Sequence, residues 1–259
     1  MESASEFWNA KAALDWQVEM GADEAICDAP IDRYALEVKK PVAKAVATTD
    51  APPPVSEAEK IDPVAVANGA ANAAQDLDGL RAAMTAFEHC ALKAGARNMV
   101  FADGVAGSPV MIITDAPDRE EDRAGAMFVG RSGVLLDKML GAIGLTRSGD
   151  APVYIVPACP WNPPQNREPN PDEFAMMRPF LERHIALAAP KLLVLMGNGA
   201  CQVLLGKNGM TRMRGDWVEA ASLPAIPMFA PSYLLQNPSA KRDAWADLLS
   251  LKSRMKDPS

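Results

Sequence analysis

Short runs of uninterrupted apolar residues alternate with segments of helical period from about residue 77 onward. The runs are VMIIT at 110–114, VYIV at 153–156, KLLVLMG at 191–197 and IPMF at 226–229. Between them lie SGVLLDKMLGAIG, PDEFAMMRPFLERHIALAA, GACQVLLG and SAKRDAWADLLSLKSRM, each with apolar residues three or four positions apart. A strand that shows no polar alternation is covered on both faces, and strands separated by helices pair in parallel. The pattern therefore predicts an α/β domain with a parallel sheet between helical layers. The helix after Asn170 carries its own start signal: Asn170 as cap, Pro171 in the first turn and Glu173 completing a capping box. Its apolar stripe is Phe174, Met177, Leu181 and Ile185. LDGLRAAMTAFEHCALK, residues 77–93, reads as one further helix.

The N-terminal part has another texture. Residues 3–20 read as a short helix, with Ser3 and Glu6 at capping-box spacing, Phe7, Leu14 and Val18 on one face, and Gly21 to end it. Residues 38–76 are rich in Ala, Pro and Val and lack aromatics, so they are expected to form a disordered linker. The organisation expected is an N-terminal extension over 1–37, the linker over 38–76, and a folded domain over 77–259.

Charge sharpens this division. Residues 1–80 hold 15 acidic and 6 basic side chains, whereas the remainder holds 18 acidic and 20 basic. The chain's net charge of −7 thus conceals a mildly basic body behind an acidic arm. A mildly basic body permits nucleic-acid binding without requiring it. No apolar run reaches the length of a membrane span, and no basic-then-apolar leader opens the chain, so a cytoplasmic monomer with no membrane contact is expected. Cys27, Cys90, Cys159 and Cys201 form no CxxC pair, which speaks against a zinc site or a disulfide scaffold. His89 and His184 are the only histidines.

Ligands of open parallel sheets bind at the carboxyl ends of the strands. The segments there are TDAPDREEDRAGAMFVGRSG (114–133), PACPWNPPQNREP (157–169), GNG (197–199) and APSYLLQNPSAKR (230–242). With FVGRSGVLLDKML, PPQNREPNPDE, RPFLERHI, LLVLMG followed by VLLG, and PSYLLQNPSAKR, the chain from Leu77 to Met255 resembles the iron–sulfur branch of the uracil-DNA glycosylase superfamily. The resemblance implies a three-layer α/β fold, a central four-stranded parallel sheet flanked by helices, with a DNA groove at the strand ends.

The resemblance also assigns positions. The family's base-stacking Phe matches Phe128. Its first-strand motif, GEAPG in relatives, reads Thr114-Asp115-Ala116-Pro117-Asp118 here, so Asp115 stands at the catalytic carboxylate position and both glycines are replaced. The base-reading Asn falls on Pro157, which offers neither a side-chain amide nor a backbone N–H. The His that steadies the departing base falls on Ala230. The four cluster-ligand positions fall on Phe87, Cys90, Trp161 and Met177. One thiolate cannot hold a four-iron cluster, so no metal or cofactor is expected and apolar packing is expected in that space. Cys159 is not counted as a replacement ligand. Arg131, Ser132, Gln165, Asn166, Arg167, Ser232, Lys241 and Arg242 are the DNA-contacting candidates, with Gly130 and Gly133 shaping a turn at a helix N-terminus.

Three functions follow, in different classes. The leading expectation is a uracil-DNA glycosylase-like protein without normal uracil excision, acting in DNA binding or as a repair or replication accessory. A protein partner would then dock on the N-terminal extension. The alternative is an active glycosylase that hydrolyses the N-glycosidic bond of uracil or another damaged base through Asp115 or another group. The third is a protein-interaction module with no nucleic-acid role.

Overall fold

A computed structural model describes residues 4–20 and 62–256. The chain divides into two compact units, Met1–Ala58 and Glu59–Ser259. In the first unit, helix α1 (Ala4–Glu19) occupies the span expected from the sequence. It is exposed along Trp8, Leu14, Trp16 and Val18. The Phe7 side chain, Ser3 and Gly21 lie outside the described residues, as does most of the expected linker.

The second unit begins earlier than the sequence pattern indicates. Helix α2 (Pro63–Ala73) falls inside the expected linker and corrects it. Asp62 caps it by accepting from the Val64 N–H at 2.9 Å, and Pro63 sits in the first turn. An alanine-rich segment has little side chain to bury, but it is a strong helix former and its flat face approaches a neighbour closely. Ala67, Ala71 and Ala74 are buried. Helix α2 packs on helix α7 (Pro171–Ala188), and Arg183 of α7 donates twice to the Ala74 carbonyl, at 2.6 and 3.0 Å. Helix α3 (Leu77–Ala86) stops short of the expected 77–93 span. Phe87 leaves the helical region as its C-cap and turns its ring edge-on to Phe180, 5.3 Å away. The chain resumes as a single turn, α4 (Leu92–Gly95).

The rest of the chain runs β1 (Asp103–Gly104), β2 (Val110–Thr114), α5 (Arg119–Ala124), α6 (Gly130–Ile143), β3 (Val153–Pro157), α7, β4 (Leu192–Met196), α8 (Asn198–Leu205), α9 (Met210–Met213), β5 (Val218–Ala220), β6 (Leu223–Met228), α10 (Pro231–Gln236) and α11 (Lys241–Lys256). The strands form one sheet in the order β1-β3-β2-β4-β6-β5. The four long strands, β3, β2, β4 and β6, are parallel. They are the four apolar runs of the sequence, and β2, β3 and β4 are buried at every position. Two short strands add antiparallel pairs at the edges, β1 on β3 and β5 on β6. These edge strands are too short and too polar to stand out in sequence. The capping box at Asn170 and Glu173 is formed, and Phe174, Met177, Leu181 and Ile185 are all buried.

Strand order fixes where a site can be. From β2 the chain crosses to β3 on one side, whereas from β4 it crosses to β6 on the other. Neighbouring strands whose connections diverge leave a crevice between their carboxyl ends. That crevice lies between Thr114 and Met196, which are register partners.

The packing of α2 generates a prediction. Protein beginning at residue 62 should keep the thermal stability of the full chain. Protein beginning at residue 77 should melt about 5–10 °C lower, because it loses the buried alanine face and the Arg183 contact. Equal melting temperatures for the two truncations would show that α2 adds nothing.

Candidate functional site

The crevice is occupied by Asp115. Its carboxylate accepts the Gly199 N–H at 2.7 Å at the start of α8. Gly197 and Gly199 make this approach possible. A Cβ on Gly197 would overlap the carboxylate, and one on Gly199 would stand 2.9 Å from its Oδ1. Gly197 also has φ +103°, a conformation that side-chain-bearing residues rarely adopt. The GNG turn is therefore more than a tight connection. Burial pushes the Asp115 carboxyl up from its ordinary 3.8 to about 6, while the Gly199 and Ala200 N–H groups pull against that rise. A base with a pKa in this range is largely ionised near neutrality and can still take up a proton.

Asp115 lines a cavity of about 390 Å³. Phe174 and Pro163 are among its apolar walls, and Asn166, Arg167, Gln202 and Ser232 supply polar groups. Gln202 is a site residue that sequence reading missed, because nothing in VLLG-type helix spacing marks one side chain as facing a cavity.

Several candidates are committed elsewhere. Arg167 makes a two-pronged ion pair with Glu173, at 2.6 and 2.8 Å. The pair holds the Glu173 carboxyl below the usual range. Arg167 thus braces the loop before α7 while it stays on the cavity wall. The Ser132 hydroxyl donates to the Val129 carbonyl at 3.1 Å, so it too is locally engaged. Asn166 accepts from Asn162 at 2.8 Å, and Asn162 also donates to the Pro117 carbonyl at 2.7 Å, tying two strand-end loops together. Gln165 is exposed at φ +59° and does not line the cavity.

The positions assigned by resemblance to base recognition are not among the residues that line this cavity. Pro157 ends β3 and is buried. Ala230 is buried at the N-cap of α10. Phe128 is buried in the main core and is not among the residues that line the cavity. The cause is local. Phe128 has φ +52°, and its N–H donates to buried Glu121 at 2.6 Å. Its carbonyl rests on Gly133, where a Cβ would overlap it, and also accepts from Arg147 at 3.5 Å. Arg147 is itself fixed by Asp103 and Asp137 at 3.0 and 2.7 Å.

A second feature lies along α6 and the start of α11. Arg131, Lys138 and Lys241 line an open groove with Val134, Leu135 and Leu235. The fold thus brings Arg131 and Lys241 to one surface from distant parts of the chain. Arg242 is exposed but does not line the groove. Neither histidine reaches the cavity. His184 is buried, bonds the Tyr154 hydroxyl at 2.8 Å, and is held down to about 3 by burial and by the Arg81 charge. His89 lies edge-on to Phe87.

The four positions matched to cluster ligands do converge. Phe87, Cys90, Trp161 and Met177 belong to one buried cluster with Phe180. Phe, Trp and Met supply no thiolate, so these residues do not fit a four-cysteine iron–sulfur group. Cys159 lies in the same cluster as Cys90. The Cys159 thiol holds the Cys90 thiol low, and Cys90 together with burial pushes the Cys159 thiol up.

Comparison with known proteins adds an independent line. The model of the uracil DNA glycosylase superfamily matches residues 101–249. The chain is 34% identical over 174 residues to the type-4 uracil-DNA glycosylase of Thermotoga maritima, covering 64% of this chain and 88% of the relative. It is 28% identical over 182 residues to the type-4 enzyme of Archaeoglobus fulgidus, covering 67% and 90%.

The buried carboxyl generates a pH prediction. Between about pH 4 and 6 folded Asp115 keeps a proton that the unfolded chain has released. The stability from that proton is complete below about pH 4 and is lost as pH rises through about 6. Asp115→Asn should therefore stabilise the fold by about 1–2 kcal/mol at neutral pH, with the gain vanishing near pH 4. Urea unfolding across this range measures it, and a gain independent of pH would contradict the assignment.

Proposed function

This chain belongs to the uracil-DNA glycosylase superfamily, and from that premise we propose that it acts on DNA and hydrolyses the N-glycosidic bond of uracil or another damaged base. The observation that carries this reading is Asp115, a carboxylate poised near neutral pKa on the wall of a cavity at the sheet's switch point. A base must leave the duplex stack to reach such a cavity. Asp115 then orients a water toward C1′ of the extruded nucleotide. The water oxygen bonds to C1′ as the C1′–N bond breaks. Its proton passes to Asp115, and the base leaves as an anion that is protonated by solvent. Arg131 and Lys241, on one groove, supply sequence-independent phosphate contacts.

The same geometry limits the rate. No imidazole stands at position 230 to meet the departing anion, and loss of one such donor reduces turnover by about 10²–10³. No amide stands at position 157, so selection among bases is weak. These two residues favour a second reading, in which the protein binds DNA without excising a base and serves as a repair or replication accessory. A protein partner for exposed helix α1 belongs to that second reading.

One assay separates them. Uracil-containing single- and double-stranded DNA should slowly lose uracil to the wild-type protein, leaving abasic sites, and Asp115→Ala should reduce release by at least about 100-fold. Ala230→His should raise the rate. No release from uracil, hypoxanthine or xanthine substrates, with salt-sensitive DNA binding retained, would establish the binding-only reading. Absence of both would leave the interaction-module reading.

A further inference from the structure

The cavity holds a polar side chain that the hydrolysis does not use. Gln202 lies in α8, half-buried between the buried Cys201 and Val203. It lines the same cavity as Asp115, and its side-chain amide makes no hydrogen bond to another described residue. Other polar groups on the wall are engaged or peripheral. Asn166 accepts from Asn162, and Arg167 is paired with Glu173. Asn208 and Ser232 are exposed.

Helix geometry aims this amide. Gln202 follows Gly199, whose N–H binds Asp115, by three residues, and Asn198 by four. Residues three and four apart share one face of a helix, and side chains tilt toward its N-terminus. The Gln202 side chain therefore leans back over the turn that meets Asp115. Gly199 puts no side chain into that space. Asn198 turns its amide oxygen to the Gly209 and Met210 N–H groups, at 3.3 and 3.0 Å. Phe174, from α7, is the one aromatic ring among the lining residues, and its Cζ lies 3.3 Å from where a Cβ would stand on Gly199. Three elements thus bring a ring, an amide and a carboxylate to one cavity of about 390 Å³, the size of a small-ligand site.

We propose, building on the glycosylase reading, that Gln202 is the base-reading residue, supplying from α8 the amide absent from position 157, with Phe174 as the ring against which the base lies. The class of base follows from the amide. A carboxamide offers an acceptor beside two donors. Gln202 Oε1 accepts the N3–H of uracil while Nε2–H donates to the C4 carbonyl. Hypoxanthine and xanthine present the same N–H and carbonyl pair at N1 and C6. A base alkylated on that nitrogen has no donor there and leaves Oε1 unpaired. The Nε2–H also meets the charge that grows on the carbonyl oxygen as the base departs. What selection the protein has thus resides in α8 rather than at the end of β3.

Release from oligonucleotides carrying uracil or 3-methyluracil tests this in the full chain. Wild type should favour uracil by about 10-fold or more in kcat/KM. Gln202→Leu keeps the size without the hydrogen bonds and should bring the two substrates to near-equal rates. Gln202→Glu keeps the length and the acceptor but loses the donor. It should lower uracil release by about 10-fold, and it decides the matter if the leucine variant fails to fold. No preference in wild type, or a preference kept in the leucine variant, would overturn the proposal and leave the glycosylase reading standing. If wild type releases no base, the glycosylase reading falls and the role of Gln202 is read by NMR of isotope-labelled protein. Free uracil should then shift the Gln202 side-chain amide signal, and 3-methyluracil should not. No shift with uracil, or an equal shift with both, would overturn the assignment of Gln202 as well.

Discussion

The packing of one carboxylate against two glycines organises this protein's candidate site. Asp115 leaves β2 where the sheet's connections diverge, and only side-chain-free residues at 197 and 199 let it reach the N-terminus of α8. The Gly199 N–H compensates part of the desolvation. Burial still wins, which is why the carboxyl titrates near neutrality. The loops before α5 and α7 then close around this point through Asn162, which joins the Pro117 carbonyl to Asn166. The cavity is therefore a consequence of strand order plus two glycines, with its rim tied by Asn162 and by the Arg167–Glu173 pair.

Rigidity elsewhere has a similar logic. Arg147 neutralises Asp103 and Asp137 while touching the Phe128 carbonyl, and Glu121 accepts the Phe128 N–H. Together with Gly133 these contacts hold a phenylalanine at positive φ with its ring in the core. Arg167 and Glu173 do the same for the loop before α7. Side chains that look like phosphate ligands in a linear reading are spent on bracing loops. The cations left on a common surface, Arg131, Lys138 and Lys241, lie along the α6 groove instead.

The helical layer over α7 presents a different trade. Positions that the resemblance assigns to a metal cluster still meet in space, yet Phe87, Trp161 and Met177 make the meeting place apolar. Phe87 packs edge-on to Phe180, and α2 covers the same side of α7 with small residues. Hydrophobic contact connects segments there. The consequence is that the N-terminal helices and the cavity loop share a core, so changes in one are felt in the other.

Much of the fold was legible in the chain. Four unbroken apolar runs became the four parallel strands, since a strand covered on both faces has no polar face to display. The Asn170–Glu173 box was legible because capping is decided by residues three apart. Helix α2 was not, because alanine's contribution there depends on the flat surface of α7, which no local pattern reveals. The site divides in the same way. Residue identities at 115, 128, 157 and 230 were readable, and so was the absence of an amide and an imidazole. Where those side chains point was not. The convergence of Cys90 and Cys159 in one cluster and the presence of Gln202 at the cavity arise from contacts between segments far apart in sequence, whereas the Arg167–Glu173 pair spans six residues and is set by the turn of the loop before α7. Sequence alone determined which elements form, because periodicity and capping are local. Tertiary structure decided which groups remain free to act, because hydrogen bonds and burial are settled only when distant segments compete for the same partners.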